Sequence, residues 1–253
     1  MLRYAALNHE LKNVIGNIYR SGSRVILDYA RENCHPNDAQ YVSDINMKMI
    51  PTVPRSMVAL KMTSFGSKSS PYMAESHIKK LIQHSINNRV QVCIDAEEVL
   101  YPKICTDLMI QYNQYEPHVF KTYQMYRRDA LKELEMDIIQ FERAGIQLGA
   151  KLVRGAYLGK QVGLLPNKPE VDKSFRRGLE MTLGASQNIH TLLATHNSED
   201  IKYARTCPHN RYKVAQLLGM ADDFPDYVYV PFGSLSELTP YLFRRFLERL
   251  KWS

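Results

Sequence analysis

Two cations, Lys151 and Arg154, bracket the apolar pair Leu152 and Val153 in the stretch KLVRGAYL at 151–158. Side chains alternate along a strand, so Leu152 and Arg154 share one face and Lys151 and Val153 the other. Gly155 has no Cβ, which lets the backbone bend or lie against a ligand. Cations at the end of an apolar strand, beside a glycine and Tyr157, suit an anionic, flat ligand; the same residues also read as a solvated strand end. Asp95 and Glu97 close a second apolar run, VQVCIDAE at 90–97, and share one side of a strand. They offer a carboxylate pair, a metal site or a partner for Lys61. A metal needs further ligands from neighbouring strand ends; Asp28 and His196 are candidates, but no HxH or HExxH spacing supports them, and no metal is expected. Lys61, Arg244 and Arg245 come from distant parts of the chain. Adjacent arginines stand about 100° apart on a helix, so both reach one site only if a helix end caps it. They either clamp a carboxylate, which Arg grips bidentately, or line a solvated face with Glu248 pairing one of them. Thr195, His196 and Asn197 offer a hydroxyl, an imidazole and an amide to a polar ligand. There is no GxGxxG and no P-loop, so a nucleotide needs another binding mode.

Eight candidate strands position these residues: Arg24–Tyr29, Met57–Thr63, Val90–Glu97, His118–Gln124, Gln147–Tyr157, Ile189–Asn197, Lys213–Leu218 and Tyr227–Pro231. Most are apolar at the start and polar at the end. In a parallel barrel the C-terminal strand ends face the active site, so polar residues collect there. Buried parallel strands also read as continuous apolar runs. Helical spacing marks Tyr72–Ile86, Arg127–Ala144 (stopped by Gly145), Lys173–Leu183, Ser198–Ala204 and Leu238–Leu250, with Ser198 expected to cap its helix.

The 253 residues, 45% of them hydrophobic, suffice for one sizeable core and match the length of a single α/β barrel. No Gly-, Pro- or Ser-rich linker divides the chain, so 1–253 reads as one domain. The formal charge of +7 is spread in pairs such as Arg127–Arg128 and Arg176–Arg177, with no basic tract, so nucleic acid is not indicated. Four scattered cysteines without a CxxC pair fit free, mostly buried thiols in a reducing compartment. No apolar run reaches the length of a membrane helix. The basic N-terminal stretch leans toward an organellar presequence, while Leu11, Val14, Ile15 and Ile18 also make an ordinary amphipathic helix.

Taken together, ILDYARE at 26–32, ALKMT at 59–63, IDAEE at 94–98, TYQ at 122–124, KLVRGAYL, ATHN at 194–197, QLLGM at 216–220, YVPFG at 229–233 and PYLFRRFLER at 240–249 resemble the proline dehydrogenases, in the family's order. The likeness runs from about Arg24 to Arg249 and is closer to the mitochondrial than the bacterial members. It implies a distorted (β/α)8 barrel, here with shortened connecting helices, that holds FAD at its C-terminal face. It also implies oxidation of L-proline to 1-pyrroline-5-carboxylate, with electrons passed to a membrane quinone. Carried over residue by residue, Lys61, Arg244 and Arg245 would grip the proline carboxylate. Tyr157, Tyr229 and Leu152 would pack on the ring, with Tyr229 favouring proline over hydroxyproline. Asp95 would hold the cations in place and Lys151 would lie by flavin N5. Lys121, Val153, Arg154, Gly155, Ala156, Thr195, His196, Asn197 and Glu248 would contact FAD, and Glu32 would pair with Arg244 as a gate. The resemblance further implies a mitochondrial matrix protein at the inner membrane, with a homo-oligomer an open possibility.

The chain departs from the family's pattern at Lys121, where many members have Gln or Asn, and in short connections after ILDYARE, Leu165, Tyr203 and Met220. These trimmed connections leave a second reading open: a catalytically impaired relative that binds or regulates.

Overall fold

The computed structural model describes residues 4–156, 162–208, 211–220 and 225–252, with the backbone alone for 244–252. The chain divides into two compact units, Met1–Val90 with Gln216–Ser253, and Gln91–Ala215.

In the first unit, strands β1 (Ala6–Leu7), β2 (Arg24–Tyr29), β3 (Met57–Lys61) and β9 (Tyr227–Gly233) are parallel. β9 lies between β1 and β2, and β3 flanks β2. The run Val25–Ala30 is buried at every position, as expected where a parallel strand is covered on both faces. Helix α1 (Leu11–Arg20) buries the stripe Leu11, Val14, Ile15 and Ile18, so this basic N-terminal stretch is a packed amphipathic helix. Helices α2 (Ala39–Met49), α3 (Pro71–Asn87) and α8 (Leu235–Trp252) complete the unit. Pro71 sits in the first turn of α3, where its missing N–H costs nothing.

In the second unit, β4 (Gln91–Asp95), β5 (Val119–Gln124), β6 (Leu148–Val153), β7 (Ile189–Ala194) and β8 (Tyr212–Leu217) pair in succession, all parallel; the last two residues of β8 fall in the first unit. Helices α4 (Pro102–Tyr112), α5 (Ala130–Ala144), α6 (Lys168–Gly184) and α7 (Ser198–Thr206) alternate with them. Gly145 ends α5 with φ +67°, a left-handed cap that glycine adopts without strain. Asn167 and Asn197 cap α6 and α7 by accepting from the backbone N–H of Glu170 and Asp200. The cap of α7 is thus Asn197, one residue before the expected Ser198.

Strands β2 to β9 are the eight expected strands, each within a few residues of its expected limits, and strand and helix alternate in the order of a (β/α)8 barrel. Helix α5 begins at Ala130 rather than Arg127, because Arg127 makes an isolated bridge with Leu164 instead. The β8–β9 connection has no helix among its described residues.

Candidate active site

Lys151 stands near the end of β6 with its Nζ 2.5 Å from Asp95 Oδ1 at the end of β4. The lysine side chain is 5% exposed and the carboxylate 14%, so the pair is held in a poorly solvated place where each charge depends on the other. Register fixes the face they occupy. Lys151 is level with Thr122 of β5, whereas Ala150 and Leu152 are level with Lys121 and Tyr123. Lys121 donates to Asp137 of α5 at 2.6 Å, to Thr106 of α4 at 3.1 Å, and pairs with Glu133 at 2.8 Å; Tyr123 Oη donates to Asp137 at 2.7 Å. The odd positions of β5 therefore meet the helices, and Lys151, Asp95 and Thr122 share the opposite face. The Thr122 hydroxyl there is buried and has no hydrogen-bond partner among the described residues. Gln124 closes the same face of β5, donating to the carbonyls of Ala96 and Glu97 at 3.2 and 3.4 Å.

Two of the expected site residues lie on the face away from Lys151. Lys121, expected to contact a flavin, meets helices α4 and α5. Burial alone would depress its ionisation, but Asp137 and Glu133 outweigh that and raise it, so it stays charged and structural. Leu152, expected on a substrate ring, is fully buried on the Tyr123 side of the sheet, away from Lys151. The alternation visible in KLVRGAYL already separated Leu152 from Lys151; which face met the helices was not visible.

Beyond β6, Arg154 is a three-way tie. Nε donates to Asp172 of α6, one terminal nitrogen to Asp200 of α7 and the other to Thr195, at 2.7, 2.7 and 2.8 Å. The guanidinium also lies 4.3 Å from the centroid of Phe175. Three of its five N–H groups are thus committed to the protein. Asp200, 4% exposed, accepts from Arg176 as well. Thr195 accepts a second bond from the backbone of Asn197 at 3.1 Å.

Gly155 is required, for a reason the sequence did not carry. Its φ is +130°, and a Cβ there would fall 2.3 Å from the Tyr126 ring. Tyr126 also donates its N–H to the Arg154 carbonyl and accepts from Leu165, tying the loops after β5 and β6 together. His196 is exposed and Ala156 half-buried at the same end of the unit.

The first unit carries a second charged cluster at its strand ends. Lys61, 6% exposed at the end of β3, donates to Asp28 of β2, and its Nζ lies 3.6 Å from Glu32 and 3.4 Å from the Tyr29 carbonyl. Asp28 is level with Ala59 and with Pro231, so Asp28, Lys61 and Tyr229 share a face by alternation. Asp28 was considered only as a metal ligand; the signal for its actual role is that ILDY ends a buried strand on a carboxylate facing the lysine of ALKMT. Glu32, expected to gate Arg244, sits beside Lys61. Tyr157 and the side chains of Arg244, Arg245 and Glu248 lie outside the described residues.

The proline dehydrogenase family model matches residues 11–250. The chain is similar to the hydroxyproline dehydrogenase of Xenopus laevis, 30% identical over 225 residues, which cover 75% of this chain and 48% of that one. It is also similar to the mitochondrial proline dehydrogenase 1 of Caenorhabditis elegans, 32% identical over 202 residues, which cover 66% of this chain and 33% of that one. Among solved structures, proline utilization A from Bdellovibrio bacteriovorus, inactivated by N-propargylglycine, superimposes with a TM-score of 0.85 at 19% identity, over 97% of this chain and 32% of that chain. The chain belongs to the proline dehydrogenase family. It spans between a third and a half of the length of these two sequence relatives.

Proposed function

We propose that this protein oxidises L-proline to 1-pyrroline-5-carboxylate with FAD as its cofactor, and passes the electrons to a quinone at a membrane surface in the mitochondrion. The observation that carries the reading is the Lys151–Asp95 pair, an almost buried cation beside the orphan Thr122 hydroxyl. A cation and a hydroxyl donor on one face fit the electron-rich edge of a flavin. Bound there, FAD would supply the two-electron acceptor for the hydride leaving proline C5.

The chain's own residues orient and polarise. Lys151 places positive charge where negative charge develops, a stabilisation that needs no reorganisation because Asp95 already fixes the ammonium. Val153, Gly155, Ala156, Thr195, His196, Asn197 and Glu248 line the cofactor site, and Arg154 holds the loop after β6 in shape through Asp172 and Asp200. Lys61, Arg244 and Arg245 take the substrate carboxylate, with Lys61 preset by Asp28. Tyr157 and Tyr229 cover the ring. Fixing the carboxylate sets the position of C5, which is a proximity effect. Glu32, beside Lys61, occupies cationic ground that a substrate carboxylate would take over.

The test is a flavin spectrum. Purified protein reconstituted with FAD should be yellow, and L-proline should bleach it anaerobically without added quinone. Protein that binds no FAD, or binds it and is not bleached, overturns the proposal. 4-Hydroxyproline should bleach it more slowly, because Tyr229 narrows the space above the ring.

A further inference from the structure

A cavity of about 540 Å³ lies within the first unit; of the groups around Lys61, Tyr29 alone lines it. Its floor is the Tyr29–Phe232 pair, whose ring centroids are 5.4 Å apart. Leu11 and Ile15 of α1 and Ile45 and Met49 of α2 form its apolar lining. Tyr41, half exposed, also lines it. The lining contains no Asp or Glu, but it includes Lys12 from α1 and Lys48 from α2. Neither lysine has an ion pair or hydrogen bond among the described residues. Most other lining groups have nothing charged to offer. The Tyr29 hydroxyl is already bonded to Glu237, which Ser234 also holds.

Two exposed cations from different helices, neither committed to a carboxylate among the described residues, over an aromatic floor and aliphatic walls, are complementary to one kind of ligand. The volume falls in the usual range for small-molecule sites, roughly 300–1,000 Å³. An apolar body would replace water against Ile15, Ile45 and Phe232. A single negative head would find two ammonium groups and no competing carboxylate in the lining. We propose that this cavity binds a small amphipathic monoanion, with the charge between Lys12 and Lys48 and the apolar part on the Tyr29–Phe232 floor. Its lining contains none of the residues proposed above to bind FAD or proline, so the two readings stand or fall separately.

The probes are decanoate, its uncharged counterpart decanol, and the fluorescent apolar anion 1-anilinonaphthalene-8-sulfonate, used with the full chain. Decanoate should displace the fluorophore saturably at one site per chain and raise the melting temperature. Decanol should bind at least tenfold more weakly. Lys12→Gln with Lys48→Gln should weaken decanoate at least tenfold and leave decanol unchanged. Ile45→Trp, which fills the cavity, should abolish saturable binding. The double lysine variant changes only exposed side chains and should keep the wild-type melting temperature, so the charge test does not depend on the filled variant folding. Absence of saturable binding overturns the proposal. So does equal affinity for decanol and decanoate, or decanoate binding unchanged in the lysine variant or in a folded Ile45→Trp protein.

Discussion

At the scale of single residues, the site depends on charges that are buried only because they are paired. Lys151 illustrates the asymmetry. Removing Asp95 leaves an ammonium 5% exposed without the carboxylate it pairs with, whereas removing Lys151 leaves a carboxylate that water reaches more easily. Asp95→Ala should therefore lower unfolding free energy by about 3 kcal/mol, the cost typical of an uncompensated buried charge, as read from urea denaturation. Lys151→Met should be milder in stability but should slow flavin bleaching by proline at least about a hundredfold, the order expected for losing one preorganised electrostatic group. Equal rates for Lys151→Met and wild type would remove Lys151 from the chemistry. Gly155 makes a different residue-scale demand. A methyl there meets the Tyr126 ring at 2.3 Å and forces a non-glycine residue to φ +130°. Gly155→Ala should cost about 1–3 kcal/mol from strain alone, with the ring clash adding to it, and should loosen the loop after β6; a wild-type melting curve would show that the loop tolerates the change.

At the scale of elements, the strand ends are fixed by ties to the helices that follow them. Arg154 joins the end of β6 to α6 and α7 through Asp172 and Asp200, and Lys121 joins β5 to α4 and α5 through Thr106, Glu133 and Asp137. Asp137→Ala strips Lys121 and Tyr123 of a shared acceptor, so it should destabilise the protein by about 3–5 kcal/mol. Because these groups face the helices, the bound-flavin spectrum should not move. A Lys121→Met, Asp137→Leu double variant should recover much of the loss, since apolar replacement of a whole buried pair is often neutral or better. A shifted flavin spectrum in Lys121→Met would return that lysine to the cofactor site. These ties also mark where the sequence was legible. The strands were, because VILD, MVALK and VCID are continuous apolar runs ending in charge. Helices α2 and α4 were not: α2 buries Ala39, Val42, Ser43 and Asn46, a stripe too small and polar to stand out, and α4 buries only Cys105, Leu108 and Met109. Lys61, Asp95 and Lys151 were recognisable as strand-end charges. Their pairing was not, because alternation says which residues share a face without saying which face meets the helices. That Lys121 and Leu152 lie on the face away from Lys151 was not legible for that reason.

At the scale of the whole molecule, these ion pairs and hydrogen bonds set how stability follows pH. Burial pushes the Glu237 carboxyl upward, but bonds from Tyr29 and Ser234 outweigh it and hold the group below the usual carboxylate range. Asp172 behaves alike: desolvation raises it, while Lys168 and Arg154 lower it further. A group depressed in the folded state binds protons more tightly when unfolded. Its stabilisation is therefore complete above the unfolded value, about 4.3 for Glu and 3.9 for Asp, and is lost as pH falls through the lower folded value. A chain already at +7 also gains positive charge in acid, so self-repulsion adds a general loss to the specific one. The two separate by difference. Glu237→Gln removes one titrating group but leaves the repulsive background nearly intact. The stability gap between wild type and variant should be steady from neutral pH to about 4.5 and should narrow below it. Urea denaturation at half-unit pH steps measures that gap. A gap constant down to pH 3 would mean that the Tyr29–Glu237 bond does not depend on the carboxylate's charge.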